Sequence, residues 1–162
     1  MRKALPAALL VSWALFAADP PPVKEGLWSL HTVSTDNPGN KRTEGTRSLC
    51  RNHDYDTRIR EQAETRQKQN CKPLAKTSSG NTFTEESECT MMGSVITSKV
   101  VATFTGDTAI HSETHATYKP ALHGIAEMTL IMDQKYVGAC PAGMEPGDFM
   151  DADGKVTHVR HP

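Results

Sequence analysis

Apolar and polar positions alternate along most of this chain, with one interruption. Residues 26–35 place Trp28, Leu30 and Thr32 on one side and divide Leu27, His31 and Val33 between the other side and the margins, which predicts a strand. The turn formers Asp36-Asn-Pro-Gly-Asn40 end it, and residues 41–49 are expected to return as the second half of a hairpin. Between 52 and 69 the period changes. Glycine and proline disappear, and Tyr55, Ile59 and Ala63 recur every fourth residue, so the segment predicts an amphipathic helix with one narrow side to bury. Asn52 or Asp54 can cap it, Asp54 and Asp56 suit the positive end of its dipole, and Arg66 and Lys68 suit the negative end. The alternating charges along it read as a solvated face.

Alternation returns after Cys71. Residues 72–77 and 82–90 flank Ser79-Gly80-Asn81, expected as a three-residue hairpin loop, and residues 95–105 and 108–118 flank Gly106-Asp107, where a leading glycine suits a type II′ turn. A last strand is expected over about 122–132, with Val100, Phe104, Ile110, Ile125, Met128 and Leu130 among the core residues. The fold class is α+β: a mostly antiparallel, curled β-sheet of six or seven strands in meander-like order, with one helix inserted after the first hairpin and two disulfides.

The N-terminus lies outside that pattern. Arg2 and Lys3 precede a small and apolar run from Ala4 to Ala18, too short for a spanning helix, which reads as an export signal cleaved after Ala17. Residues 1–17 are therefore assigned as a signal peptide, 18–25 as a Pro-rich extended leader, and 26–162 as a single domain. No cysteine follows the apolar run for lipid attachment, and no transmembrane segment is expected in the mature chain. The expected location is periplasmic or secreted.

About 145 residues then remain, enough for one core. Loss of Arg2 and Lys3 changes the formal charge from −1 to −3, and the remaining cations are scattered among acids, so nucleic acid is excluded as a partner. Aromatic residues make up only 6% of the chain, a thin supply for a core that cross-links must supplement.

The four cysteines are Cys50, Cys71, Cys89 and Cys140, an even set in an exported chain, which reads as two disulfides. Cys71 and Cys89 are equidistant from Gly80, so a hairpin centred there sets them opposite one another within bridging reach. By elimination Cys50 pairs with Cys140, although four cysteines allow three connectivities. Closing that long loop is worth roughly 4–5 kcal/mol in the chain-entropy picture.

Gly26-Leu-Trp28 opening a strand, Cys50 ahead of the helix, the central cysteine pair and the segment Gly138-Ala-Cys-Pro-Ala-Gly-Met-Glu-Pro-Gly-Asp148 together resemble the DUF3617 family of small exported bacterial proteins. The resemblance covers nearly the whole mature chain. It implies a periplasmic location and a curved antiparallel fold, and brings no activity to carry onto these residues.

Candidate chemistry is sparse. His111, Glu113 and His115 alternate on one strand and share a face; neighbours two apart can reach one metal ion, but His111 and His115 stand about 13 Å apart. A complete metal site needs a further ligand such as His123; otherwise the group is the polar outer side of a half-buried sheet. His158 and His161 lie in the C-terminal tail. Asp151-Ala-Asp-Gly154 has part of a calcium-loop pattern without the distal glutamate, and reads as a tight turn. The loop 141–147 carries Glu145 as its one reactive group and is shaped by two prolines and two glycines. No nucleophile elbow, phosphate-cradling loop or metalloprotease helix is present.

The function expected is a non-catalytic periplasmic binding or interaction protein, with no catalytic residues and no cofactor, taking a small apolar ligand or an envelope partner on a concave sheet. The alternatives are a metal-dependent or hydrolytic envelope enzyme built on His111, Glu113, His115 and His123, and a structural or stress-related envelope factor.

Overall fold

The computed structural model describes residues 20–159. The signal peptide expected at 1–17, the first two residues of the leader and His161 lie outside them. Nine strands and one helix occupy the described residues: β1 (Gly26–Asn37), β2 (Lys41–Arg51), α1 (His53–Asn70), β3 (Cys71–Ser79), β4 (Thr82–Met91), β5 (Ser94–Thr105), β6 (Ala109–Leu122), β7 (Ile125–Gly138), β8 (Phe149–Asp151) and β9 (Val156–Thr157). They form one sheet in the order β3-β4-β5-β6-β7-β1-β2-β8-β9, antiparallel at every pairing. The expectation of six or seven strands is thereby corrected. Seven long strands answer to the seven that alternation predicts, but the last runs from Ile125 to Gly138 rather than over about 122–132, because His123 and Gly124 form the turn before it. The two extra strands span three and two residues, too short to carry a period of two, and flank the turn expected at Asp151–Gly154. No described helix is long and apolar enough to cross a membrane.

The sheet is a β3–β7 meander to which the first hairpin is added, with β1 seated between β7 and β2. α1 connects the two ends. It leaves β2 through the single residue Asn52, whose side chain accepts the Tyr55 N–H at 2.8 Å, and it runs directly into β3 at Cys71. Eighteen residues of helix are about 27 Å long. Six strand spacings separate β2 from β3, roughly 29 Å on a flat sheet before any displacement along the strands is added. The helix enters beside Gly26, the partner of Arg51, and leaves beside Cys89, which lies far along the strands from that row. A flat sheet puts those points beyond one helix length, so the sheet must curl toward the helix.

The core sits where α1 begins. Val23, Trp28, Leu30, Leu49, Tyr55, Phe104 and Ile110 are buried together, with Tyr136 and Phe149 packed against them. Trp28 is fully buried; its Nε1 donates to the Lys24 carbonyl at 2.8 Å and its ring meets Tyr136 edge-on at 6.2 Å. Arg51 lies over the Trp28 ring at 5.2 Å and pairs with Asp56 of α1 at 2.9 Å, which docks the first helical turn.

Gly26 is demanded by its neighbours. Its φ is +135°, and a Cβ there strikes the carbonyl oxygen of Gly138. The register between β1 and β7 slips at this point, from Leu27 opposite Gly138 to Trp28 opposite Tyr136. The slip leaves Val137 without a partner and aims Trp28 inward. The Gly-Leu-Trp sequence is thus one device: a bulge that positions the central aromatic.

Both disulfides form as expected, Cys71 with Cys89 and Cys50 with Cys140, and no free cysteine remains. The hairpin behind the first pair differs in detail. The loop is two residues long rather than three, since Ser79 pairs with Thr82, and the register it sets would place Cys71 one residue out of line with Cys89. A bulge between Pro73 and Ala75 absorbs Leu74, leaves it 47% exposed and restores the alignment. The β5–β6 loop departs in the other direction, holding three residues rather than the two of a type II′ turn, with Thr105 opposite Ala109.

Trp28→Ala is expected to cost about 3–5 kcal/mol, as for other large buried aromatics, and Gly26→Ala about 1–3 kcal/mol through backbone strain alone. Urea denaturation checks both. A Gly26→Ala protein as stable as the parent shows that the bulge relaxes freely and does not govern the placement of Trp28.

Candidate functional site

Direct strand partners share a face, so the register defines both sides of the sheet. The inner side carries Trp28, Leu30, Thr32 and Ser34 of β1, Met132 and Leu130 of β7, Ile110 to Ala116 of β6 at alternate positions, Phe104, Ala102 and Val100 of β5, and Phe83 and Glu85 of β4. α1 lies across this side. Its predicted apolar stripe is only partly used: Tyr55 is buried, Ile59 remains 38% exposed, and Ala63 is exposed. A helix that buries one side chain at its start and little thereafter leaves space beneath it.

That space is a cavity of about 570 Å³ between α1 and strands β3–β5. Ala63 forms its helical wall, Phe83, Val100 and Ala102 its floor, and Pro73 and Ala75 its outer wall at the sheet edge. Charged groups gather around these apolar surfaces: Arg60, Glu64 and Lys68 from α1, and Lys76 and Glu85 from the strands. Gln67 donates from α1 to Glu85 and ties the helix to β4 across the cavity. Toward the start of α1 a second cavity of about 270 Å³ is lined by Leu49, Arg51, Tyr55, Asp56, Ile59 and Gln134, and by Arg60 and Ala63, which border both.

None of these lining residues is among the candidates drawn from sequence. The one signal for them was the Tyr55, Ile59, Ala63 stripe; how far α1 stands off the sheet depends on the distance between β2 and β3, which no local pattern contains.

The sequence-derived candidates lie elsewhere. His111, Glu113 and His115 project from the outer side of β6, as their alternation predicts. His111 Nδ1 is 2.7 Å from Asp133 and its Nε2 is 3.2 Å from Glu113. Two flanking carboxylates favour the doubly protonated ring, and they raise its pKa above the usual histidine value, with the Asp133 hydrogen bond the larger cause and the Glu113 bond next. In the protonated form so favoured, neither ring nitrogen offers a lone pair. His115 Nδ1 lies 3.2 Å from Thr129 Oγ1. His123 sits in the turn beyond β6 at φ +52°, twelve residues past His111 and roughly 40 Å along an extended strand. No three His, Cys, Asp or Glu side chains among the described residues are grouped to hold a metal.

The C-terminal candidates form a clasp. Cys140 bonds to Cys50, and the following loop returns along β2: the Cys50 N–H donates to Asp148 O at 3.0 Å and the Gly147 N–H to Cys50 O at 2.8 Å. Asp148 is 3% exposed, and its carboxylate accepts the Glu145 N–H at 2.8 Å and the Val159 N–H at 3.2 Å, with His158 Nδ1 at 2.8 Å. Asp151 to Gly154 closes the β8–β9 turn through its own backbone, with Gly154 N–H donating to Asp151 O at 3.0 Å. Glu145 takes part in this clasp through its backbone N–H and His158 through its Nδ1.

Two pH dependences follow. The Glu145 N–H, chiefly, and then His158 and the Val159 N–H hold the Asp148 carboxyl below the usual aspartate range. Its contribution to stability is therefore present above the unfolded value of ~3.9 and lost as pH falls through the lower folded value. Asp148→Asn is expected to cost about 1–3 kcal/mol through donors left without a charged acceptor, and to abolish that acid-side loss in urea titrations across pH. The sign reverses at His111: its raised pKa gives a contribution complete below ~6.5 and lost as pH rises through the folded value. Asp133→Asn should lower the His111 midpoint read by NMR. An unchanged midpoint means the Asp133 bond is not what holds the proton.

The family model described as a protein of unknown function, DUF3617, matches residues 23–140, from the buried Val23 to the disulfide at Cys140. No curated protein matches the chain. With the match spanning most of its length, the chain belongs to the DUF3617 family.

Proposed function

We propose that this is a non-catalytic periplasmic binding protein that holds a small apolar ligand in the cleft between α1 and strands β3–β5. The observation that carries the reading is the 570 Å³ cavity, floored by Phe83, Val100 and Ala102, beneath a helix whose own apolar stripe is left unburied at Ile59 and Ala63. Its size falls within the range of roughly 300–1,000 Å³ that small-molecule sites occupy, and its apolar floor with a few charged groups around it has their usual composition. The two disulfides suit an oxidising compartment such as the periplasm.

A cavity of this kind works by removing apolar surface from water, with a gain of about 25 cal/mol per Å² buried. Nothing in that mechanism draws on the outer-face histidines.

Binding of 1-anilinonaphthalene-8-sulfonate, followed by its fluorescence, is the first test. The native protein should bind it, Val100→Glu should weaken binding at least tenfold by placing a negative charge on the cavity floor against the dye's sulfonate, and the triple variant His111→Ala, Glu113→Ala, His115→Ala should bind as the parent does. Circular dichroism establishes that each variant is folded. Dye binding indifferent to Val100→Glu removes the cleft from consideration, and loss in the triple variant together with chelator sensitivity points to the metal-dependent alternative.

A further inference from the structure

We propose that the occupant of the cleft is a single long acyl chain ending in a carboxylate, lying across the inner side of the sheet and passing beneath α1 at Ala63. The inference rests on the binding reading above and narrows it to a ligand class. The two cavities follow one another along α1 and are not independent, because Ala63 and Arg60 line both. Where they meet, Ala63 presents a side chain of one methyl group. The passage runs from Leu49 and Gln134, under the first half of the helix, to Phe83 under the second. Three strand spacings separate Gln134 in β7 from Phe83 in β4, about 14 Å, and one more reaches β3. A compact ring system fills one cavity, whereas a flexible unbranched chain can occupy both. Ile59, one turn before Ala63 on the same side of α1, is apolar, exposed and on the wall of the smaller cavity, so the chain also covers surface that the protein's own packing leaves open.

The head group is assigned by charge. Lys68 lines the larger cavity near the end of α1, away from the smaller one, and Arg60 stands two turns earlier on the same face. Neither has an ion-pair partner among the described residues. The same walls carry three cations, Arg60, Lys68 and Lys76, against two acids, Glu64 and Glu85, and Glu85 is already engaged by Gln67, so the walls hold an excess of positive charge. A carboxylate at Lys68 with its tail directed past Ala63 toward Ile59 and Tyr55 satisfies both the cation and the apolar stripe. A cationic amphiphile in that orientation sets like charges against each other.

Isothermal titration of the full mature protein with octanoate, dodecanoate and dodecyltrimethylammonium, all below micelle concentrations, tests this directly. Each added pair of buried methylenes should tighten binding by up to about tenfold, so dodecanoate should exceed octanoate by at least tenfold. Dodecanoate should also bind at least tenfold more tightly than dodecyltrimethylammonium, and Lys68→Glu should erase that preference. Ala63→Leu, a change well tolerated in a helix, should narrow the passage and bring dodecanoate down to the level of octanoate. The wild-type chain-length series stands even where a variant fails to fold. Dye binding without any gain beyond octanoate overturns the long-chain assignment and leaves the cleft reading intact; preference for the cationic amphiphile overturns the carboxylate. Absence of both dye and fatty-chain binding removes the cleft itself.

Discussion

The arrangement of this protein depends on a length that cannot change. α1 joins strands six places apart in the sheet with one residue of slack at its start and none at its end. A hydrogen-bonded helix does not stretch, so the sheet must bring β2 and β3 to it. Right-handed twist accumulated over nine antiparallel strands makes that possible, because a twisted sheet of this width coils rather than lying flat. The helix then acts as a strut across the inner side. Its ends are held by chemistry outside its own packing: Cys50, two residues before the cap, is bonded to Cys140, and Cys71, the residue that ends it, is bonded to Cys89.

Held in this way, α1 has little need to bury itself. Only Tyr55 in the helix is buried, and the ion pair between Arg51 and Asp56 fixes its first turn. A polar helix of this length is marginal alone in water, and in most proteins an apolar face would supply the missing stability. Here the two cross-links at its ends substitute for that face. The consequence is functional: Ile59 and Ala63 remain available, and the space that a better-packed helix would fill stays open as the two cavities.

What could be read from the sequence follows the range over which each cause acts. Strand alternation, the Asn52 cap and the Cys71–Cys89 bridge are local, and they stand where the residue pattern puts them. The hairpin came out aligned although its loop is shorter than expected, because Leu74 was absorbed into a bulge that sequence spacing does not mark. β8 and β9 escaped notice since three and two residues cannot display a period, and their pairing relies on the Cys140 bridge to bring the C-terminal segment back to β2. The outer-face histidines of β6 share one side as their alternation predicts, but the carboxylate beside His111, that of Asp133, comes from β7, a pairing that spacing along β6 does not contain. The cleft was invisible because its walls come from α1, β3, β4 and β5, and its width is set by the span of the sheet.

The two sides of the sheet divide the work that this chain has to do. On the outer side charged and hydroxyl groups pair across strands, as His31 does with Glu44 and Lys99 with Glu86, keeping a broad open sheet wetted. At the free edge, β3 carries Lys72, Pro73 and Lys76 together with its bulge, features that oppose the addition of another strand. Exposed apolar side chains stand at the β4–β5 turn, as Met91, Met92 and Val95 do, and at the two bulges, as Leu74 and Val137 do; under α1 it is Ile59 and the cleft that stay open. A protein with so few aromatic residues leaves that cleft unfilled because its covalent frame tolerates it, each disulfide anchoring one end of the helix.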